Sequence, residues 1–391
     1  MTTWDQNTMC RIALIAMGFS MMLNQANAGT TPPKPFGATP SAAQVRHAER
    51  AFYVFCHFGV NTFTGREWGT GGESETRFNP TAFDAAQIVR AIKASGAKGF
   101  ILTTKHHDGF CLWPTETTGH NITASPYKNG KGDIVREFSD ACKAQGMEFG
   151  VYVSPWDRNH PDYGTPAYPT GAYRRQVKEL TTNYGTLFII WFDGANSGSG
   201  VFKGKIGPTD ITGSTMRNAA TKPGYFRFDE LFPIIRAAQP GIVIFGAEGD
   251  LDARWIGNEG GHSTETCRST INPGRIPEGE NYKSHLSKGD LHGSHWVIPE
   301  ADTSIRRGWF FHPNMSTRSP ENLMNLYINT VGHAATLNLN VPPDTRGLVH
   351  ENDAESLRIF GDHLLKTFAD NLAMGAAFKA SNIRGNDVPE Y

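Results

Sequence analysis

Charge of either sign is scarce in this chain. Asp, Glu, Lys and Arg make up 19% of its 391 residues and nearly cancel, leaving a formal net charge of −1. No basic stripe for a nucleic acid and no polybasic face for an acidic membrane follows from such a balance, so neither partner is expected. Cysteine is scarce too. The five residues Cys10, Cys56, Cys111, Cys142 and Cys267 match no zinc spacing, and no HExxH motif is present, so no metal site is expected. No GxGxxG fingerprint follows the first strand-like segment, which argues against a dinucleotide cofactor; none is expected.

What is present begins with an export-like N-terminus. Arg11 precedes the apolar run Ile12 to Leu23, and Ala26-Asn27-Ala28 supplies small residues for cleavage before Gly29. Residues 1–28 are expected to be a cleaved signal peptide, the alternative being an uncleaved anchor. The run is too short to span a bilayer comfortably, so no membrane span is expected after cleavage, and the mature protein is expected to be secreted or periplasmic. Residues 29–45 are rich in Pro, Thr and Ala, as a linker is. Cys56 and Cys142 fall inside apolar elements and are expected to pack as small hydrophobes. Export would permit some pairing among the four cysteines beyond the signal.

From there the chain repeats one unit: helix, glycine-containing turn, apolar strand. Phe52 to Val60 reads as a strand. Asp84 to Ser95 places Ile88, Val89 and Ile92 on one helical face before Gly96, and Gly99 to Thr104 is the next strand. Asp133 opens a helix that Gly146 closes, leading into Glu148 to Ser154. A helix over 172–183 precedes Thr186 to Phe192, and one over 229–238 precedes Ile242 to Phe245. Trp296 to Pro299, a helix over 321–334, the strand Thr336 to Val341 and a helix over 354–368 complete the pattern. Strands that need cover on both faces imply a parallel sheet, and at this length a closed (β/α)8-type barrel is favoured over an open one. Residues 46–372 are assigned to the barrel. Residues 373–391 look like the start of a further β-domain.

In such a barrel, chemistry sits at the C-terminal ends of the strands. Asp193 shares a strand face with Ile189 and Trp191, so its carboxylate is directed to the barrel mouth as a nucleophile or base; helix or loop capping is the bland alternative. Gly194 leaves space beside it. His57, His106 and His107 also end strands. They suit the hydroxyls of a polar ligand better than a metal, because adjacent His side chains on an extended segment diverge. Asp108 is expected to fix its loop or turn outward. If Asp193 acts as a nucleophile or base on such a ligand, a second carboxyl group would serve as acid and base, for which Glu67, Glu248, Glu259 and Glu300 are candidates. Glu259, beside Trp255 in a loop after the fifth strand, has the less polar setting that suits an acid.

HFGVNTF, TTKHHDGF, VYVSPWD, WFDGA, RWIGNEG, EADTSIRRGWFFH and LNLNVPPD, in this order, resemble the α-L-fucosidase family of glycoside hydrolases. The resemblance runs from about residue 47 to the end. Its RWIGNEG and SIRRGWFFH forms resemble the subgroup acting on α-1,3/1,4-linked fucose, and AFKASNIRG resembles the start of the family's C-terminal β-sandwich. It implies a retaining double displacement without cofactor or metal on fucosylated oligosaccharides, with Asp193 as nucleophile and Glu259 as acid/base. Fucose binding is implied for His57, Glu67, Trp68, His106, His107 and Trp191, and also for Tyr152, Arg254 and Trp309. The loop from Val201 to Gly224 is longer than the family pattern. Two other readings stand beside this one: a non-catalytic fucose-binding barrel, and a metal-dependent barrel hydrolase using the three histidines.

Overall fold

The computed structural model describes residues 37–193, 224–246, 249–273, 281–372 and 374–377. Residues 1–28, Gly194, Glu248, nearly all of the Val201 to Gly224 loop and most of 373–391 lie outside the described residues. The chain divides into a unit over Gly37–Thr367 and a second made of Met1–Phe36 with Phe368–Tyr391. The first is the barrel.

Eight parallel strands close on themselves: β1 Phe52–Cys56, β2 Gly99–Lys105, β3 Glu148–Val153, β4 Leu187–Trp191, β5 Val243–Gly246, β6 Ala253–Trp255, β7 Ile298–Ser304 and β8 Thr336–Asn340. Each pairs with its neighbours in sequence, and β1 closes against β8 with Phe52 beside Leu337. Alternation sorts the side chains. Val54, Phe100, Leu102, Val151, Ile190, Leu337 and Leu339 point outward into the layer under the helices. Tyr53, Phe55, Ile101, Tyr152, Ile189, Trp191, Phe245 and Ala253 fill the inside. Burying each larger side chain contributes about 1.5–3 kcal/mol.

The helices form where the periodicity places them. Asp84 caps Ala85–Lys93 through the Gln87 amide, and Ile88, Val89 and Ile92 are buried. Asp133 caps Ile134–Gln145, which ends on the left-handed Gly146. The helix Ala172–Asn183 coincides with its expected span. Four expectations shift. The barrel strand expected over Trp296 to Pro299 begins only at Ile298 and runs on to Ser304. The strand expected over Phe52 to Val60 stops at Cys56, and Val60–Thr64 is a helical turn. The helix after β7 ends at Ile328 and continues only as a 3-10 turn over Val331–His333. Ala253–Trp255, read as part of a loop after β5, is a strand of its own, so Glu259 follows the sixth strand. All four cysteines in the described barrel are buried free thiols, and none pairs.

Helix Ala42–Arg50 plugs the barrel's lower end. Gln44 donates to the carbonyls of Asp252 and Trp296, next to the starts of β6 and β7. His47 lies against Tyr53 and stacks on Phe188. Burial first, then the charge of Arg50, lowers the His47 pKa to about 3. The folded protein therefore refuses a proton that the unfolded chain accepts below about pH 6.5, and stability falls as pH drops below that value. His47→Gln is expected to flatten the stability profile between pH 7 and pH 5 by about 2 kcal/mol. Denaturant unfolding at the two pH values measures this, and equal slopes in both proteins would contradict it.

Candidate active site

The upper ends of the strands collect the polar groups. β4 delivers Asp193 two residues beyond Trp191. Its carboxylate accepts a hydrogen bond from the Tyr152 hydroxyl at 2.8 Å and lies 3.3 Å from His107 Nε2. Burial pushes the Asp193 pKa up, but the bonds and charge from His107, the Tyr152 bond and nearby His57 outweigh it, and the net shift is downward. Asp193 is held as a carboxylate.

His107 is itself fixed. Its Nδ1 pairs with Ser154 Oγ at 2.6 Å, and its ring lies against Trp156 and the edge of the rim residue Trp68. His57 Nδ1 meets Asn340 Oδ1 at 2.8 Å, so the neutral ring donates there and leaves Nε2 as an acceptor. Burial lowers the His57 pKa to about 4. His106 stacks on Tyr152, and its buried Nδ1 has no partner among the described residues. Burial, then His107 and His57, lower its pKa as well. The expected divergence of His106 and His107 does not occur: their rings are 4.3 Å apart. The register slips between Thr103 and Lys105, and the chain then turns, with the Gly109 amide donating to the His106 carbonyl. The donor atoms of His106, His107 and Asp193 lie within 4.8 Å of one another, the one such cluster among the described residues. Asp108 fixes the loop as expected, accepting from the Phe110 amide and the Asn61 side chain.

Trp191 forms the floor. It stacks on Phe245 at 4.0 Å and donates to Glu300 at 2.7 Å. Glu300 is fully buried beneath it and also receives Tyr53 and Asn338, so it is closed off as an acid for anything in the mouth.

Glu259 stands at the exposed rim, where Trp309 Nε1 donates to it at 3.3 Å. The protein around its carboxyl desolvates it and raises its pKa; Asp193 and Glu67 push the same way, while Trp309 and Lys283 oppose. Glu67 accepts the Trp309 backbone amide at 2.8 Å and so ties its loop to the loop carrying Trp309. Trp309 in turn lies 5.1 Å from His57. Of the expected binding residues, Arg254 does not join the mouth. It is buried and donates to the carbonyls of Leu286, Val297, Arg268 and Ser269, because β6 alternates it outward between Ala253 and Trp255. It holds the surrounding loops.

Sequence reasoning missed Asp302, a buried carboxyl in the mouth. The stretch Ile298–Ser304 is a strand whose alternate residues Ile298, Glu300 and Asp302 face inward, a period-two signal hidden by their polarity.

An aspartate with a lowered pKa and a glutamate with a raised one, with an aromatic floor at the strand ends of a parallel barrel, supply the kinds of group that a glycoside hydrolase uses. The chain belongs to the α-L-fucosidase family, whose model matches residues 72–367. It is 38% identical over 375 residues to Alpha-L-fucosidase 1 of Arabidopsis thaliana, covering 96% of this chain and 70% of that relative. A glycoside hydrolase 29 family member from an unknown rumen bacterium superposes with a TM-score of 0.79 at 40% identity; the match covers 89% of this chain but only 61% of that one. A Ruminococcus gnavus GH29 fucosidase, solved in complex with fucose, gives 0.75 at 33% identity, covering 89% of this chain and 72% of the other.

Proposed function

We propose that this chain is a retaining, exo-acting α-L-fucosidase that releases terminal fucose by double displacement. The observation that carries the reading is a pair of carboxyl groups with contrasting settings: Asp193 bonded by Tyr152 and beside His107 with its pKa lowered, and Glu259 at the rim, bonded by Trp309, with its pKa raised by desolvation and by the charge of Asp193. Asp193 attacks the anomeric carbon as positive charge develops there, while Glu259 protonates the departing oxygen. Glu259 then takes a proton from the water that frees the sugar. The neutral imidazoles of His57 and His106 offer unfilled nitrogens to sugar hydroxyls. Trp191, Trp309 and Phe310, the last with its ring 5.5 Å from His57 and 5.0 Å from His106, supply the apolar wall that a 6-deoxy methyl group needs. The floor is made of side chains that are themselves buried, Trp191 and Glu300, which suits a site for a single terminal residue. That a family member binds fucose supports the choice of sugar.

The activity has a pH signature. Protonation removes the nucleophile, so the acid limb of kcat/KM falls below the usual carboxylate range, following the lowered Asp193. Loss of the Glu259 proton removes the acid, so the alkaline limb lies above the usual glutamate value. Glu259→Gln is expected to remove the alkaline limb, and a limb unchanged in that variant would assign it to another group.

The linkage proposed is α-1,3/1,4 in branched glycans, on the RWIGNEG and SIRRGWFFH segments. Hydrolysis of a Lewis-type trisaccharide is expected to exceed that of 2′-fucosyllactose by at least about tenfold, a difference of only about 1.4 kcal/mol in transition-state binding. The reverse preference would overturn the linkage; release from neither would overturn the activity. The convergence of His106, His107 and Asp193 gives one competing reading, a metal-dependent hydrolase, and activity that a chelator abolishes would favour it. Export through cleavage after Ala28 is part of the proposal and rests on the N-terminal sequence alone.

A further inference from the structure

Asp302 sits one inward position above Glu300 on β7 and is almost fully buried. Among the described residues Glu300 has three donors and Asp302 has one. The Trp255 indole N–H donates to Asp302 Oδ1 at 3.0 Å and is shared with the Asn258 carbonyl, also at 3.0 Å. Asn258 shapes the turn that presents Glu259: its Oδ1 accepts the Gly260 amide, and its Nδ2 donates to the His262 carbonyl. Gly257 completes the turn with a φ of +87° and packs so close to Lys283 that a Cβ would fall 2.5 Å from its carbonyl oxygen. The Lys283 ammonium lies over the Trp255 ring. One indole thus links a buried carboxyl to the loop bearing the acid.

We propose that Asp302 is a positioning residue that acts through Glu259: it locks the Trp255 indole, and the indole fixes the 256–260 turn and the aim of the Glu259 carboxyl. It does this as a neutral acid. Burial, followed by the neighbouring Glu259, Glu300 and Asp193, pushes its proton affinity far above the carboxylate range, and the single indole bond offsets little of this. A neutral carboxyl can accept from the indole without adding a further negative charge to a mouth that must hold Asp193 ionised. Asparagine has the same shape and the same accepting oxygen, so it should replace Asp302 in this role.

The inference rests on the fucosidase reading, and the test separates the two. In Asp302→Ala the turn loses its anchor, so steps that need the acid should suffer most. For a fucosylated oligosaccharide, whose leaving oxygen must be protonated, kcat/KM should fall at least about tenfold more than for an aryl fucoside with a good leaving group. Asp302→Asn should restore both substrates to within about threefold of the wild type, with the alkaline limb of the pH profile unmoved, and Trp255→Phe should resemble Asp302→Ala. Equal losses on the two substrates would reduce Asp302 to a packing role. An inactive but folded Asp302→Asn would make it an ionising participant. Either result overturns the proposal while wild-type fucose release stands. A wild type that releases no fucose would instead remove the reading beneath it.

Discussion

Asp193→Ala is expected to abolish turnover, lowering kcat by about 10⁴-fold or more, the scale on which loss of a nucleophile acts in other covalent catalysts. Among the described residues the other inward carboxyls are poor substitutes: Glu300 is sealed below Trp191, and burial pushes the Asp302 pKa well above the usual carboxylate value. Fucose binding should survive, because His57, His106 and Trp191 do not depend on Asp193 for their positions; His57 is held by Asn340, and Trp191 by Glu300 and Phe245. The substitution leaves the Tyr152 hydroxyl without its acceptor at a buried position, which costs about 1–3 kcal/mol of stability. Asp193→Asn keeps an acceptor there and separates that cost from the chemical loss. Added azide should attack the vacated face and give a fucosyl azide of inverted configuration. Activity within tenfold of the wild type in either variant would remove Asp193 from the role.

Glu259→Ala should have the second-largest effect. General acid and base assistance is worth about 10²–10⁴-fold, and that loss is expected in kcat/KM for an oligosaccharide. An aryl fucoside with a good leaving group should lose much less in kcat/KM, since its departure needs little proton transfer. Release of the enzyme-bound fucosyl group would then limit turnover, and azide should accelerate it by replacing the water that Glu259 no longer activates, yielding an azide of the substrate's own configuration. Trp309 loses its acceptor in this variant, but at the rim water can satisfy the indole, so folding should change little. Near-normal activity on the oligosaccharide would displace Glu259, and Glu248, outside the described residues, would be the next to test.

The barrel was legible where one physical rule decides the outcome. Outward faces carry Val, Ile, Leu and Phe under amphipathic helices, and Asp84, Asp133 and Gly146 mark helix ends by capping chemistry that needs no tertiary context. Asp193 was legible for the same reason: it continues the inward alternation of Ile189 and Trp191. The rule fails where the inside of the barrel turns polar. Ile298–Ser304 carries Glu300 and Asp302 inward, so its composition resembles a loop although its period is that of a strand. Ala253–Trp255 is only three residues long and follows β5 after a short return, which leaves no helix to announce it. Arg254 was misplaced as a consequence, since its outward direction follows from a strand that composition did not reveal. The proximity of His106 to His107 depends on a register slip and a turn, neither of which sequence spacing encodes.

The central claim is that Asp193 forms a covalent bond to the sugar and that Glu259 serves first as acid and then as base. Proton NMR during hydrolysis of an α-L-fucoside, recorded before the released sugar mutarotates, tests it most directly. The account predicts that the first fucose to appear is the α anomer, the outcome of two successive inversions. First appearance of the β anomer would mean a single displacement by water and would contradict it.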